Sequence, residues 1–168
     1  KITVTDANTT PGSGANVVVY GETSSKGGNS LAKYFTKKVV LTPGNDSGDL
    51  RVFLTAYNPI NSQIFVYYKI LNRNDQQNFE DGYWQLMTPV TNPNTNSQTT
   101  ADLVEYEYAP GIYLQGANNN ISYVSTSGTT YNQFSQFAIK VVLAASDSTN
   151  PPYLTNLRAL ALPPGTGI

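Results

Sequence analysis

The chain contains no histidine and no cysteine. Without histidine it lacks the usual general base and the commonest transition-metal ligand. Without cysteine it can form no disulfide framework, thiolate metal site or thiol nucleophile, so the Ser-His-Asp and Cys-His systems are excluded together. The lack of disulfides also argues against a eukaryotic secreted module. Charge is scarce: Asp, Glu, Lys and Arg make up 12%, and 10 basic against 11 acidic residues leave a net charge of −1. That is about half the usual charged share. No basic field gathers phosphates, Lys33 with Lys37-Lys38 being only a local cluster, so no nucleic-acid partner is expected. No apolar run reaches the length of a membrane span and the start carries no signal-peptide pattern, so no membrane partner is expected either. No pattern asks for a cofactor. Because the first residue is Lys1 and not Met, the expectation is a processed chain or part of a longer one.

What the chain does have is alternation. In Leu50–Leu71, two apolar, β-branched and aromatic runs flank the turn cluster Asn58-Pro59-Ile60-Asn61-Ser62. Side chains of a strand point to opposite faces with period two. Leu50, Val52, Leu54 and Ala56 therefore share one face, and so do Ile64, Val66, Tyr68 and Ile70. The opposite faces are mixed, as in a sheet with one buried side and one side that is wet or covered. Pro59 fixes φ and pushes Asn58 out of the helical region, so the pattern predicts a β-hairpin.

Further along, Leu103–Tyr108 sets Leu103, Glu105 and Glu107 against Val104, Tyr106 and Tyr108. In Phe134–Ala145, Phe137, Ile139, Val141 and Leu143 face one way and Lys140 the other. Shorter strands are expected at Lys33–Leu41, Tyr83–Met87, Ile112–Leu114, Ile121–Val124 and Leu157–Leu162, with Phe79 plugging back onto the core. A helical turn is expected only near Asp75–Phe79. Eight or nine short strands without βαβ alternation indicate an all-β, antiparallel β-sandwich, jelly-roll-like, with an immunoglobulin-like sandwich as the alternative. Two parts are expected: residues 1–30, an extended N-terminal arm or linker, and residues 31–168, the sandwich domain. The arm holds Ile2, Val4 and the run Val17-Val18-Val19-Tyr20 in flexible Gly/Ser/Thr/Asn sequence. The polar stretch Thr88–Thr100 reads as a long loop, which inside a compact domain is functional or mobile.

Three chemistries need weighing against plainer explanations. Glu105 and Glu107, on one strand face and roughly 7 Å apart from the strand rise, superficially suit a glycosidase pair. Acids on the wet face of a strand are more simply solubility devices. Asn45, Asp46, Ser47 and Asp49 around Gly48 offer oxygens, but without the calcium-loop spacing; such clusters serve tight turns, and no metal site is expected. The twelve tyrosines and single tryptophan supply rings that stack on sugars or line contacts. Tyr57, Tyr67, Trp84, Tyr106, Tyr108 and Tyr113 are the candidate ligand or interface residues.

The two strongest segments also carry a resemblance. LAKYFTKKVVLTPGNDSGDLRVFLTAYNPINSQIFVYYKILNRNDQQNFEDGYWQLM and FSQFAIKVVLAASDSTNPPYLTNLRALAL resemble segments that recur in structural proteins of tailed-bacteriophage virions, of marine and cyanobacterial phage type. The likeness covers about 130 residues, Leu31 to Leu162, and rests on pattern, not on a catalytic motif. It implies a β-sandwich in a baseplate, tail or fibre-associated protein, located in the virion. Its implied partners are other copies of itself and other virion proteins; the alternative, read from the aromatics and the Thr88–Thr100 loop and not from the resemblance, is a carbohydrate- or receptor-binding module that takes a host-surface glycan. The resemblance supplies no catalytic residues, so no enzymatic activity is expected. Residues 1–30 fall outside it and are expected to add a strand to a neighbouring subunit.

Overall fold

The computed structural model describes residues 32–91, 96–111, 120–145 and 149–164. Among these the chain forms ten strands: β1 (Ala32–Phe35), β2 (Val39–Val40), β3 (Asp49–Tyr57), β4 (Ser62–Leu71), β5 (Gln85–Thr91), β6 (Val104–Pro110), β7 (Tyr123–Val124), β8 (Thr130–Tyr131), β9 (Gln136–Ala145) and β10 (Tyr153–Leu162). All pairings are antiparallel. The main sheet runs β1-β9-β4-β5-β6-β3-β10, with β2 also beside β9, while β7 and β8 make a separate small ribbon. The fold is all-β and sandwich-like.

Strand β5 turns the sheet back on itself. Gln85 and Leu86 pair with Tyr68 and Tyr67 of β4, whereas Met87 to Thr91 pair with β6. The sheet therefore curls into two layers, β1/β2-β9-β4 and β6-β3-β10, hinged on β5. Between them lie the faces expected from alternation: Leu50, Val52, Leu54 and Ala56 of β3; Ile64, Val66, Tyr68 and Ile70 of β4; Phe137, Ile139 and Val141 of β9. Tyr106 and Tyr108 of β6, Met87, Ile121 and Phe134 complete this core.

The hairpin expectation needs correcting. β3 pairs with β6 and β10, and β4 with β9 and β5; the two do not pair with each other. Asn58–Asn61 is an arch that carries the chain from one layer to the other. Alternation fixes which face is buried but not whether two strands lie side by side or face to face. Asn61 takes positive φ (65°), a conformation asparagine tolerates better than most residues. The Ser62 hydroxyl lies 2.6 Å from the Pro59 carbonyl and 2.8 Å from Asn58 Oδ1, sharing its hydrogen between them.

Other boundaries move. The expected strand Lys33–Leu41 is broken at 36–38 into β1 and β2. β5 continues through Pro89 to Thr91, shortening the expected loop; the ladder to β6 shifts register between Pro89 and Thr91, the kind of irregularity at which a strand tolerates proline. The helical turn is a 3-10 turn at Phe79–Asp81, and Phe79 does pack back, against Leu71 and Ala138. The expected arm, residues 1–30, and the expected strand Ile112–Leu114 lie outside the described residues.

Candidate functional site

The most distinctive chemistry lies on the outer face of β4 and β9. Alternation places Tyr67 and Lys69 of β4 and Lys140 of β9 there, yet all three are buried. The chain between β4 and β5 folds back as a cover. Its 3-10 turn begins at Asn78, whose side chain accepts from the Glu80 amide, and it brings Phe79 and Trp84 over the lysines. Lys69 Nζ lies 5.0 Å from the centroid of Phe79 and 4.9 Å from that of Trp84. Lys140 Nζ lies 4.2 Å from Tyr67 and 5.2 Å from Trp84. Lys38 approaches Phe79 at 5.5 Å, and Phe35 of β1 meets Trp84 edge-on at 5.8 Å.

A lysine held over a ring face is stabilised by the ring quadrupole, more so when water is excluded. Burial lowers the Lys69 pKa, while the Glu80 and Asp81 carboxylates oppose that shift. Lys69 also donates to the Glu80 carbonyl at 3.4 Å. Gly82 lies close beneath this cover, where a Cβ would stand 3.1 Å from Lys69 Cδ and the lysine stem would have to shift slightly to admit it. At the surface the cluster is bordered by exposed Phe35, Val40, Tyr83 and Leu86.

A second feature is a cleft of about 410 Å³ between β4, β5 and β6, at the arch. Tyr106, Tyr108 and Met87 line its apolar side, and Asn58, Gln63 and Asn96 its polar side. The end of the polar loop is pinned there. The Ser97 amide donates to the Asn58 carbonyl at 2.9 Å, the Asn58 amide to Ser97 Oγ at 3.0 Å, and Asn96 Nδ2 to the Asn58 carbonyl at 3.2 Å. The Tyr108 hydroxyl donates to the Ile64 carbonyl at 3.2 Å, and burial raises the pKa of both Tyr106 and Tyr108.

The structure thus distributes the candidate aromatics over three places. Tyr67 and Trp84 meet in the lysine cluster, and Tyr106 and Tyr108 belong to the core beside the cleft. Tyr57 packs on Tyr153 at 5.2 Å and donates to Asn150 at 2.8 Å. Tyr113 lies outside the described residues. They form no single exposed platform. Sequence reasoning missed Lys69 and Lys140, which alternation placed on a face that looked wet. The signal available was Phe79 and Trp84 lying shortly after β4.

The paired acids are engaged separately across the outer face of the other layer. Glu105 accepts from Arg158 at 2.6 Å, whereas Glu107 accepts from Arg51, whose Nε also bonds Asp49 at 3.1 Å. Around Gly48, Asp46 accepts from Arg73 at 2.9 Å and Asp49 caps the Leu50 amide at 2.7 Å. Gly48 itself sits where a Cβ would meet Pro164 Cα at 2.8 Å. Among the described residues no three acidic, histidine or cysteine side chains gather as metal ligands, and no helix is long and apolar enough to cross a membrane. Compared with protein families, curated proteins and solved structures, the chain finds no match in any of the three.

Proposed function

We propose that the chain is a non-enzymatic structural protein of a tailed-phage virion, in the baseplate, tail or fibre region, and that it works by packing against other copies of itself and other virion proteins. The observation that carries this is the apolar border of the lysine–aromatic cluster, where Phe35, Val40, Tyr83 and Leu86 stand exposed around the buried Tyr67, Lys69 and Lys140. Aromatic anchors on a preorganised base are what subunit contacts use. A surface poor in charge supports it, since few ions need desolvating when copies meet. So do the resemblance to virion proteins and the engagement of Glu105 and Glu107 by separate arginines. The arm, residues 1–30, then reaches a neighbour by strand addition.

The test is immunogold labelling of tailed-phage particles purified from a source that encodes this sequence. Label confined to the tail region is expected. The chain found only in the unassembled fraction, with intact and urea-opened particles unlabelled, overturns the proposal.

A second function is supported by the cleft at the arch: binding of a host-surface carbohydrate. Tyr106, Tyr108, Asn58, Gln63 and Asn96 line the cleft, a mixture of rings and amides of the kind that meets sugars. A glycan array probed with the full chain tests it, and loss of binding on Asn96→Ala is the expected signature.

A further inference from the structure

Among the described residues, the two edges of the curled sheet differ. One, formed by β1 and β2 beside β9, is short, broken at 36–38 and carries Lys33, Lys37 and Lys38. Short, lysine-bearing, interrupted strands are how sheets discourage further pairing. The other is β10, a ten-residue strand with one bulge near Leu154, bonded to β3 on one side and, among the described residues, to no strand on the other. Its one charged side chain, Arg158, is already paired with Glu105.

Both edges end their layers on the side away from β5, and there the core is incompletely covered. Tyr34 and Val39 pair with the core residues Val141 and Phe137, so they share the inward face, yet they are 54% and 39% exposed. Leu157, Ala159 and Ala161 of β10 pack against the core only partly buried. An apolar mouth therefore opens between a blocked edge and a receptive one.

We propose that β10 is the acceptor edge for assembly, taking Asn16–Tyr20 (NVVVY) of a neighbouring copy as an added strand that closes this mouth; this rests on the virion-assembly function proposed above. The thirty-one residues before β1 include that uncharged, β-branched run. β1 begins at Ala32, on the same open side. Gly21–Leu31 is Gly/Ser-rich, and its eleven residues reach at most roughly 40 Å fully extended, enough to run the length of a ten-residue strand such as β10. Added main-chain hydrogen bonds supply affinity, and valines on alternate faces meet the exposed inward row.

The chain's lack of cysteine makes the test clean. Chains bearing Val17→Cys or Val18→Cys, which cover both strand faces, are mixed in urea with chains bearing Asn156→Cys or Leu160→Cys. They are refolded together and treated with a short bismaleimide. Each chain carries one thiol, so a mixed covalent dimer reports a contact between copies. The expected result is a mixed dimer several-fold above that given by Ile60→Cys on the exposed arch. Equal yields from Ile60 and β10 overturn the proposal. A control chain carrying both Val17→Cys and Leu160→Cys is treated in parallel, and linkage within that chain without any mixed dimer between single-thiol chains also overturns the proposal. If mixed dimers are absent while the untreated chain is oligomeric by mass, the β10 assignment fails and the assembly function stands; a monomeric chain removes the basis of both.

Discussion

Tyr67 and Lys140 are directly opposed across β4 and β9, and the Lys140 ammonium sits 4.2 Å from the tyrosine ring centroid on a face sealed from water. Removal of either group alone also disturbs packing, so the pair is best isolated by a double-mutant cycle. Urea unfolding of the parent chain, Tyr67→Leu, Lys140→Met and the double variant should give a coupling of about 2 kcal/mol, the size for a desolvated cation over a ring. Strict additivity would mean that the ring does not stabilise the ammonium.

Stability above neutral pH is governed by the buried tyrosines and Lys69. Burial pushes Tyr68 from 10.0 up to about 12 and raises Tyr108 and Tyr123 as well. In the unfolded chain these phenols ionise near pH 10. Their raised folded values make the native state the one that holds more protons above that pH, so stability is complete below about pH 10 and falls as pH climbs towards 12. Tyr68 alone removes on the order of 2–3 kcal/mol by pH 12. Lys69 acts oppositely. Its folded pKa is lowered, so the penalty for its charge is relieved as pH rises through that value towards 10.5. The urea midpoint should rise gently up to about pH 10 and then drop steeply. A midpoint flat through about pH 12 would contradict the burial of these groups.

Two arginines each pair with a glutamate of β6, but their worth should differ. The Arg51 side chain is 4% exposed and bridges Asp49 and Glu107, whereas Arg158 is 54% exposed opposite Glu105. Removing one partner from a buried network strands the others, while an exposed pair is screened. Arg51→Met is expected to cost about 2–4 kcal/mol and Arg158→Met under about 1 kcal/mol. Similar values by chemical denaturation would refute the burial-based ranking.

The arch should depend on its left-handed residue. Asn61 has φ of 65°. Asn61→Gly should be nearly neutral, and Asn61→Val should cost about 1–2 kcal/mol, because a β-branched side chain is strained there. Thermal unfolding distinguishes these outcomes, and a harmless valine would argue for a looser connection.

Much of the core was legible because strand periodicity depends only on local sequence. Val52, Val66 and Ile139 declared their inward faces by alternation alone, and all are fully buried. Partner choice was not legible, since Asn58-Pro59 bends the chain equally well into a hairpin or an arch. What decides between them is packing of both apolar faces against each other, a long-range property. Pro89 misled for a related reason: it occupies a strand at a position where the ladder slips. Lys69 and Lys140 read as wet because their cover comes from Phe79 and Trp84, a turn away in space, and period two carries no information about that.

The most direct test of function through subunit packing is the solution mass of the full 168-residue chain, measured by light scattering across concentration. A stable trimer or hexamer is predicted, with a mass that is a fixed multiple of 18.2 kDa. A mass of 18.2 kDa at every concentration would contradict self-assembly and shift the weight to the carbohydrate cleft.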